Sequence, residues 1–284
     1  MGCLKLQYYT EQEPFFLKVS KPDKESGTKG VQGFLSVDPL ASRAPGWSPY
    51  RAFFCNPIRF NDPLGLFEGD YYDQKGKYLG TDNIDDKKVY VVTNKDEAKS
   101  IKKTNKAGGS INLSDVTSAI ELPSKTIRSE MVKVAEEDKK EPFREYGGIF
   151  GTDAEGNDKV IWANPGAKAD PSKVTEATID VFDAANSAEK GTLSTYSGTF
   201  HSHPSGSVTI GPPSEPGMTT IGGTSTTYSF LQAPSDQDIK NAASRTYMTG
   251  NSYVLGTGNN TVSIYNGSGV QATFPLDKFG TVGK

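Results

Sequence analysis

STYSGTFHSHP, residues 194–204, decides how this chain is read. Thr199 and Phe200 continue a β-strand that ends at the histidines. Residues two apart in a strand point to the same face, so His201 and His203 present their imidazoles side by side. They are the only two histidines among 284 residues. A single exposed strand histidine is usually structural or incidental. A pair on one face can share a metal ion.

Zinc in a catalytic site usually takes three protein ligands and leaves a fourth position to water. The chain has only two cysteines, Cys3 and Cys55, so the third ligand is expected to be a carboxylate. Asp238, in PSDQD at residues 234–238, is the candidate. The same residues also read as a plain helix start, with Ser235 as cap and Asp238 at the third position. A metal-activated water needs a base. Glu145, at the head of EYGGIFG, is the candidate, although an acid ahead of an apolar strand equally suits a surface position.

Outward from this motif the pattern is that of an α/β enzyme. Strands are expected in EYGGIFG (145–151), KVIWANPG (159–166), ATIDVFDAA (177–185) and STYSGTFHSHP. A helix opens at PSDQDIKNAASR (234–245), and three more strands follow in NSYVLGTG, NTVSIYNG and VQATFPL. Upstream, DYYDQKGKYLG (70–80) predicts a hairpin around QKGK, and KKVYVVT (87–93) a short strand. NKDEAKSIKKTNKAGGS (94–110) reads as a charged stretch and a Gly turn, with KSIKKTNK a solvated face. Ser124 to Lys140 reads as one helix, because Ile127, Met131, Val134 and Ala135 share a face. Trp47 and Trp162 read as packing residues.

Composition narrows the function. A net charge of -3 leaves no global basic field for a polyanion, so no nucleic-acid partner is expected. Two cysteines exclude a disulfide-built scaffold. No apolar run is long enough for a membrane span. The start, MGCLKLQYYTEQ, lacks the apolar stretch of a secretory signal, and Leu6 stands where a myristoylation pattern wants Ser or Thr.

Residues 31–66 carry FLSVDPLA, WSPYRAF and NPIRFNDPLGL in that order. This Pro-rich string of turns resembles the end of the core domain of bacterial RHS-repeat proteins. In that family the element seen here as Asp62-Pro63-Leu64-Gly65 marks a junction, and a variable toxin domain follows. Some members cleave themselves after the next leucine, here Leu66, inside a large repeat shell that these 284 residues do not include. Read without the resemblance, the segment is a Pro-rich linker.

Glu145, then His201-Ser202-His203-Pro204, then Ser235 and Asp238 follow the JAMM order of Glu, HxHP and SxxD. Residues 141–284 therefore resemble JAB/MPN-type metallopeptidases. Where that family usually keeps a short spacer, residues 204–234 intervene here. The resemblance implies a mixed sheet flanked by helices in cytidine-deaminase-like layers. It implies Zn2+ on His201, His203 and Asp238, Glu145 as general base and acid, and Ser235 as oxyanion donor. The substrate would be a protein or peptide, through a peptide or isopeptide bond. From the toxin resemblance come secretion or contact delivery from a bacterium into a target cell, and a cognate immunity protein.

Four parts are thus expected: a flexible tail (1–30), an RHS core end (31–66), a connector with hairpin and helix (67–140), and the metallopeptidase-like toxin domain (141–284). The alternatives are a metal-free MPN-like binding module, a metal-dependent nuclease toxin and an inactive orphaned cassette. The insertion 204–234 is rich in Gly, Pro, Ser and Thr, with Glu215 its one charged residue. It reads either as a flap over the metal or as a mobile decoration.

Overall fold

The computed structural model describes residues 70–82, 84, 86–183, 193–211 and 224–283. The tail 1–30, the segment 31–66 with its Leu66 junction, Cys3, Cys55, Trp47 and Glu215 lie outside the described residues. The described part is a mixed α/β structure with two principal sheets.

The larger sheet has six strands: β5 (Gly147–Thr152), β6 (Asp158–Trp162), β7 (Thr195–His203), β10 (Ser252–Gly256), β11 (Thr261–Asn266) and β12 (Gly269–Pro275). Their order is β12-β11-β10-β7-β5-β6. Only the β7–β10 pair is parallel, and the helix α4 (Asp236–Ser244) lies in the connection between them. The predicted strands around 145–151, 159–166, 194–204, 251–258, 260–267 and 270–276 are all present.

Strand alternation sorts this sheet into two faces. Phe150, Phe200, Tyr253, Leu255, Val262 and Ile264 turn into the main apolar core. Thr199, His201 and His203 of β7 therefore share the opposite face with Ser263 and Tyr265 of β11. Trp162 packs edge-on against Phe200, with ring centroids 5.5 Å apart.

Residues 70–140 hold more than a hairpin and a helix. β1 (Asp70–Asp73), β2 (Tyr78–Thr81), β3 (Val89–Val92) and β4 (Ala119–Glu121) form a second sheet in the order β2-β1-β3-β4. In VYVV, Val89 and Val91 enter the main core, while Tyr90 and Val92 enter a smaller one with Tyr71, Leu79 and Ile101. The two sheets thus share one apolar interior, to which α5 (Leu276–Phe279) adds Leu276 and Phe279.

Three sequence expectations are corrected. The stretch 94–110 holds a helix, α1 (Lys95–Lys106), and not only charge and a Gly turn. Asn94 caps it by accepting from the backbone N–H of Asp96 and Glu97. Asp96 and Glu97 in the first turn and Lys103 and Lys106 in the last suit the helix dipole. With Ile101 its one buried residue, α1 has too narrow an apolar stripe to stand out from its charges. KSIKKTNK does form much of its solvated face.

Ser124–Lys140 is two helices, α2 (Lys125–Met131) and α3 (Val134–Lys140). Ser124 caps α2 through the N–H of Ile127. Between the helices the bonds tighten to three-residue spacing, as in Lys133 N to Glu130 O at 3.1 Å and Ala135 N to Val132 O at 3.1 Å. The break lets α2 bind the chain end near Phe279–Val282 while α3 reaches the loop after His203. Ile127, Met131 and Val134 are buried as expected, and Ala135 partly so.

ATIDVFDAA is no strand over residues 177–183, and 184–185 lie outside the described residues. Its alternation does bury Ala177 and Val181. Asp180 ends the extended run in a tight turn, accepting from Phe182 N at 2.9 Å through its side chain and from Asp183 N at 3.2 Å through its carbonyl.

Among the described residues, no helix is long and apolar enough to cross a membrane.

Candidate metal centre

β7 ends at the imidazoles, and Glu145 stands just before β5. Gly147 pairs with His201, which brings the start of β5 beside the end of β7. The small residues of EYGG have a reason here: a Cβ on Gly147 would meet Phe200 O at 2.2 Å. Ser202 clamps the register from the other face of β7. Its N–H donates to Tyr146 O at 2.7 Å, and its Oγ accepts from Tyr146 N at 2.9 Å.

His201 and His203 bring their Nε2 atoms to 3.3 Å. Glu145, His201 and His203 are buried, and their ligand atoms lie within 4.8 Å of one another, so this trio can hold a metal ion. Asp238 belongs to the same cluster. Its Oδ1 is 3.2 Å from His201 Nε2, and its Oδ2 is 3.5 Å from His203 Nε2. Glu145 stands further off, with Oε1 3.8 Å from His203 Nε2.

The two carboxylates differ in how closely they approach the imidazoles. Ligands 2.0–2.2 Å from a tetrahedral zinc lie about 3.3–3.6 Å from one another. The 3.3 Å between the two Nε2 atoms matches such an edge, and Asp238 approaches them through two different oxygens, Oδ1 at 3.2 Å from His201 and Oδ2 at 3.5 Å from His203. Asp238 thus lies closer to the imidazoles than Glu145 does. Two nitrogens in such contact also need a shared proton or a shared cation, since two lone pairs facing each other repel. The structure thus brings together four of the five site residues read from the sequence, and places the fifth, Ser235, beside them.

Ser235 is the N-cap of α4 and forms a full capping box with Asp238. Its N–H and Oγ donate to Asp238 Oδ2 at 2.8 and 2.9 Å, and its Oγ accepts from Asp238 N at 3.2 Å. The cap therefore has a second effect: the hydrogen bonds that start the helix also fix the Asp238 carboxylate beside the imidazoles. To serve a substrate oxygen, the Ser235 hydroxyl must release Asp238 Oδ2.

Burial pushes the Glu145 carboxyl up to about 8; Asp238 and Glu176 add to this, and His203 opposes it. Asp238 is also subject to burial, but hydrogen bonds from His201 and His203 and the Ser235 N–H outweigh it and hold the carboxyl far below the usual range. The folded metal-free chain therefore keeps a proton on Glu145 that the unfolded chain has lost, and this contribution to stability fades as pH rises through about 8. Glu145→Gln should flatten the fall in thermal midpoint of the metal-free protein between about pH 5 and pH 8. Parallel melts of both proteins across that window check it.

Sequence reading missed several positioning residues. Asp138 on α3 is buried and accepts from Ser205 N at 3.0 Å and from Ser205 Oγ. Gln232 donates to Pro204 O at 2.8 Å and accepts from Gly258 N at 2.7 Å. Thr257 Oγ1 donates to His203 O at 2.8 Å. None has a sequence signal: Asp138 sits in the charged run EEDKK, and Gln232 and Thr257 sit in polar loops. Asp138→Ala should cost about 2 kcal/mol through the lost charge-assisted bonds to Ser205, and denaturant unfolding measures it.

A pocket of about 120 Å3 opens over the cluster. Its cover comes from residues 176–181 and not from the described part of the insertion 204–234. Gly166 N donates to Glu145 O at 2.9 Å, and a Cβ on Gly166 would meet Thr178 O at 2.1 Å, so this cover packs tightly against the segment at Gly166 that follows β6. The insertion begins and ends as an exposed hairpin, β8 (Ser207–Ile210) with β9 (Thr226–Ser229). Phe230 anchors its return, buried 6.5 Å from the Phe143 ring.

No protein-family model, curated protein or solved structure matches the chain. The functional reading therefore stands on this geometry and on the sequence motif.

Proposed function

We propose that residues 141–284 are a JAMM-type zinc peptidase in which His201, His203 and Asp238 hold the ion and Glu145 handles the proton. The observation that carries this is the convergence of both imidazole Nε2 atoms on the Asp238 carboxylate, with the buried Glu145 carboxyl beside them. When bound, the cation supplies a Lewis acid that makes water nucleophilic near neutral pH and polarises a carbonyl.

The chain's own residues do the rest. In hydrolysis the water oxygen bonds to the amide carbon, the C–N bond breaks, and one proton moves from water to the leaving nitrogen. Glu145 carries that proton. Alone in the apo pocket its carboxyl is protonated at neutral pH, and a positive charge nearby lowers its pKa toward the base form. Ser235, at the pocket wall, is assigned the donor to the carbonyl oxygen. Segment 176–181 limits water access from above.

The sheet with helices and covering segments on both faces is compatible with the layered JAB/MPN architecture, which we propose as its fold family. The likeness of residues 31–66 to an RHS core end extends the proposal: the domain acts as a toxin, delivered from a bacterium into a target cell and restrained by an immunity protein.

Metal analysis of the purified full chain, with mass-spectrometric peptide and isopeptide hydrolysis assays, tests the reading. One zinc per chain and amide cleavage are expected. Folded protein that binds no divalent metal makes the domain a binding module. Degradation of plasmid DNA with no amide cleavage makes it a nuclease.

A further inference from the structure

The pocket continues past the metal centre along α4. Gln237 and Asn241 share one face of α4, Arg245 is its C-cap, and all three line the pocket together with Asp238. Gln237 Nε2 donates to Asn241 Oδ1 at 2.9 Å, which ties the first two together. Arg245 is the only lysine or arginine among the described lining residues. Its guanidinium lies over the Phe182 ring, with Cζ 4.9 Å from the centroid. Stacking of this kind occupies a guanidinium's flat face and leaves its N–H edge for a planar anion. Among the described residues Arg245 forms no ion pair, in a pocket whose other charged groups are Glu145, Glu176 and Asp238.

We infer that Arg245 anchors a carboxylate-binding subsite, so that the substrate of the proposed peptidase carries a carboxylate near its scissile amide. The inference rests on the peptidase reading for the word substrate, but not for the subsite itself. The lining is asymmetric: His201, His203 and Asp238 gather at one end, and the one lysine or arginine among the described lining residues, Arg245, stands at the far end of α4. A ligand with one carboxylate is therefore oriented, with that group at Arg245 and its amide toward His201 and His203. From Asp238 to Ser244, one residue before Arg245, α4 rises about 9 Å. An extended peptide advances about 3.3–3.6 Å per residue. The carboxylate thus belongs within a few residues of the scissile amide. It is either a free C-terminus or an Asp or Glu side chain.

Affinity selection on the full chain carrying Glu145→Gln, with zinc and without, tests this. The probes are N-acetylated random hexapeptide pools: one with a free C-terminus and no Asp or Glu, one C-terminally amidated with Asp and Glu, and one amidated without either. Mass spectrometry reads the retained peptides. At least one carboxylate-bearing pool should be retained about tenfold to hundredfold over the uncharged pool, and Arg245→Gln should remove that preference while leaving zinc content unchanged. The winning pool identifies the source of the carboxylate. Equal retention of all pools, no retention of any, or a preference that survives Arg245→Gln would overturn the subsite. Arg245-dependent retention by a chain that cleaves no amide would leave the subsite standing and sink the peptidase. Cleavage by wild type with no carboxylate preference would do the reverse.

Discussion

His203→Ala should abolish zinc binding and amide hydrolysis together, while Glu145→Gln should keep the zinc and lose the hydrolysis. His203 touches every other member of the cluster: His201 at 3.3 Å, Asp238 at 3.5 Å and Glu145 at 3.8 Å. Its removal leaves two donors, too few to close the three-ligand set of a catalytic zinc site. Glu145→Gln preserves shape and removes only the capacity to take a proton, so turnover should fall by about 10^2–10^4. Zinc content by mass spectrometry and turnover on one peptide, measured on the same preparations, separate the two effects. Asp238→Asn completes the set. If Asp238→Asn keeps the zinc and Glu145→Gln loses it, the two carboxylates have exchanged roles. A Gln variant as fast as wild type would remove Glu145 from the chemistry.

The same cluster shows what the sequence could reveal. The HxH pair was legible because strand periodicity alone places two imidazoles on one face. Ser235 and Asp238 were legible as a helix start, and in the structure that start also holds the Asp238 carboxylate beside the imidazoles. Their approach to β7 was not legible from local pattern, since it depends on the parallel pairing of β7 with β10 across α4. Only the order of the motif hinted at it. Alternation misled at ATIDVFDAA, where Ala177 and Val181 are buried as in a strand but Asp180 turns the backbone away from the sheet. Charge hid α1, because a helix that buries Ile101 alone looks like a solvated run. Asp138 and Gln232 were invisible because their work is to hold a loop distant in sequence.

Arg128→Met should lower the thermal midpoint by roughly 6–12 °C while leaving zinc content near one per chain. Arg128 is 1% exposed, and among the described residues its fork meets backbone carbonyls and no acid. Its Nε donates to Pro123 O at 2.8 Å, its Nη2 to Val282 O at 2.8 Å and its Nη1 to Phe279 O. Burial lowers its pKa to about 10, which still leaves it charged at neutral pH. The carbonyls that close α5 and the chain end are thereby tied to α2, over a core that includes Tyr253 and Phe274. Methionine fills part of the volume and supplies no donor. Three carbonyls then lose their partner, at about 1–3 kcal/mol for each that stays buried. Those at Phe279 and Val282 sit close to the end of the described chain and can turn to water, so a total of about 3 kcal/mol is the expectation. Arg128→Lys should rescue little of it, because one ammonium cannot span carbonyls arranged for a planar fork. The metal face lies on the other side of the six-stranded sheet, which is why zinc content should hold while the melt moves. A midpoint within about 2 °C of wild type would mean that the chain end is held by the packing of Leu276 and Phe279 and not by the arginine.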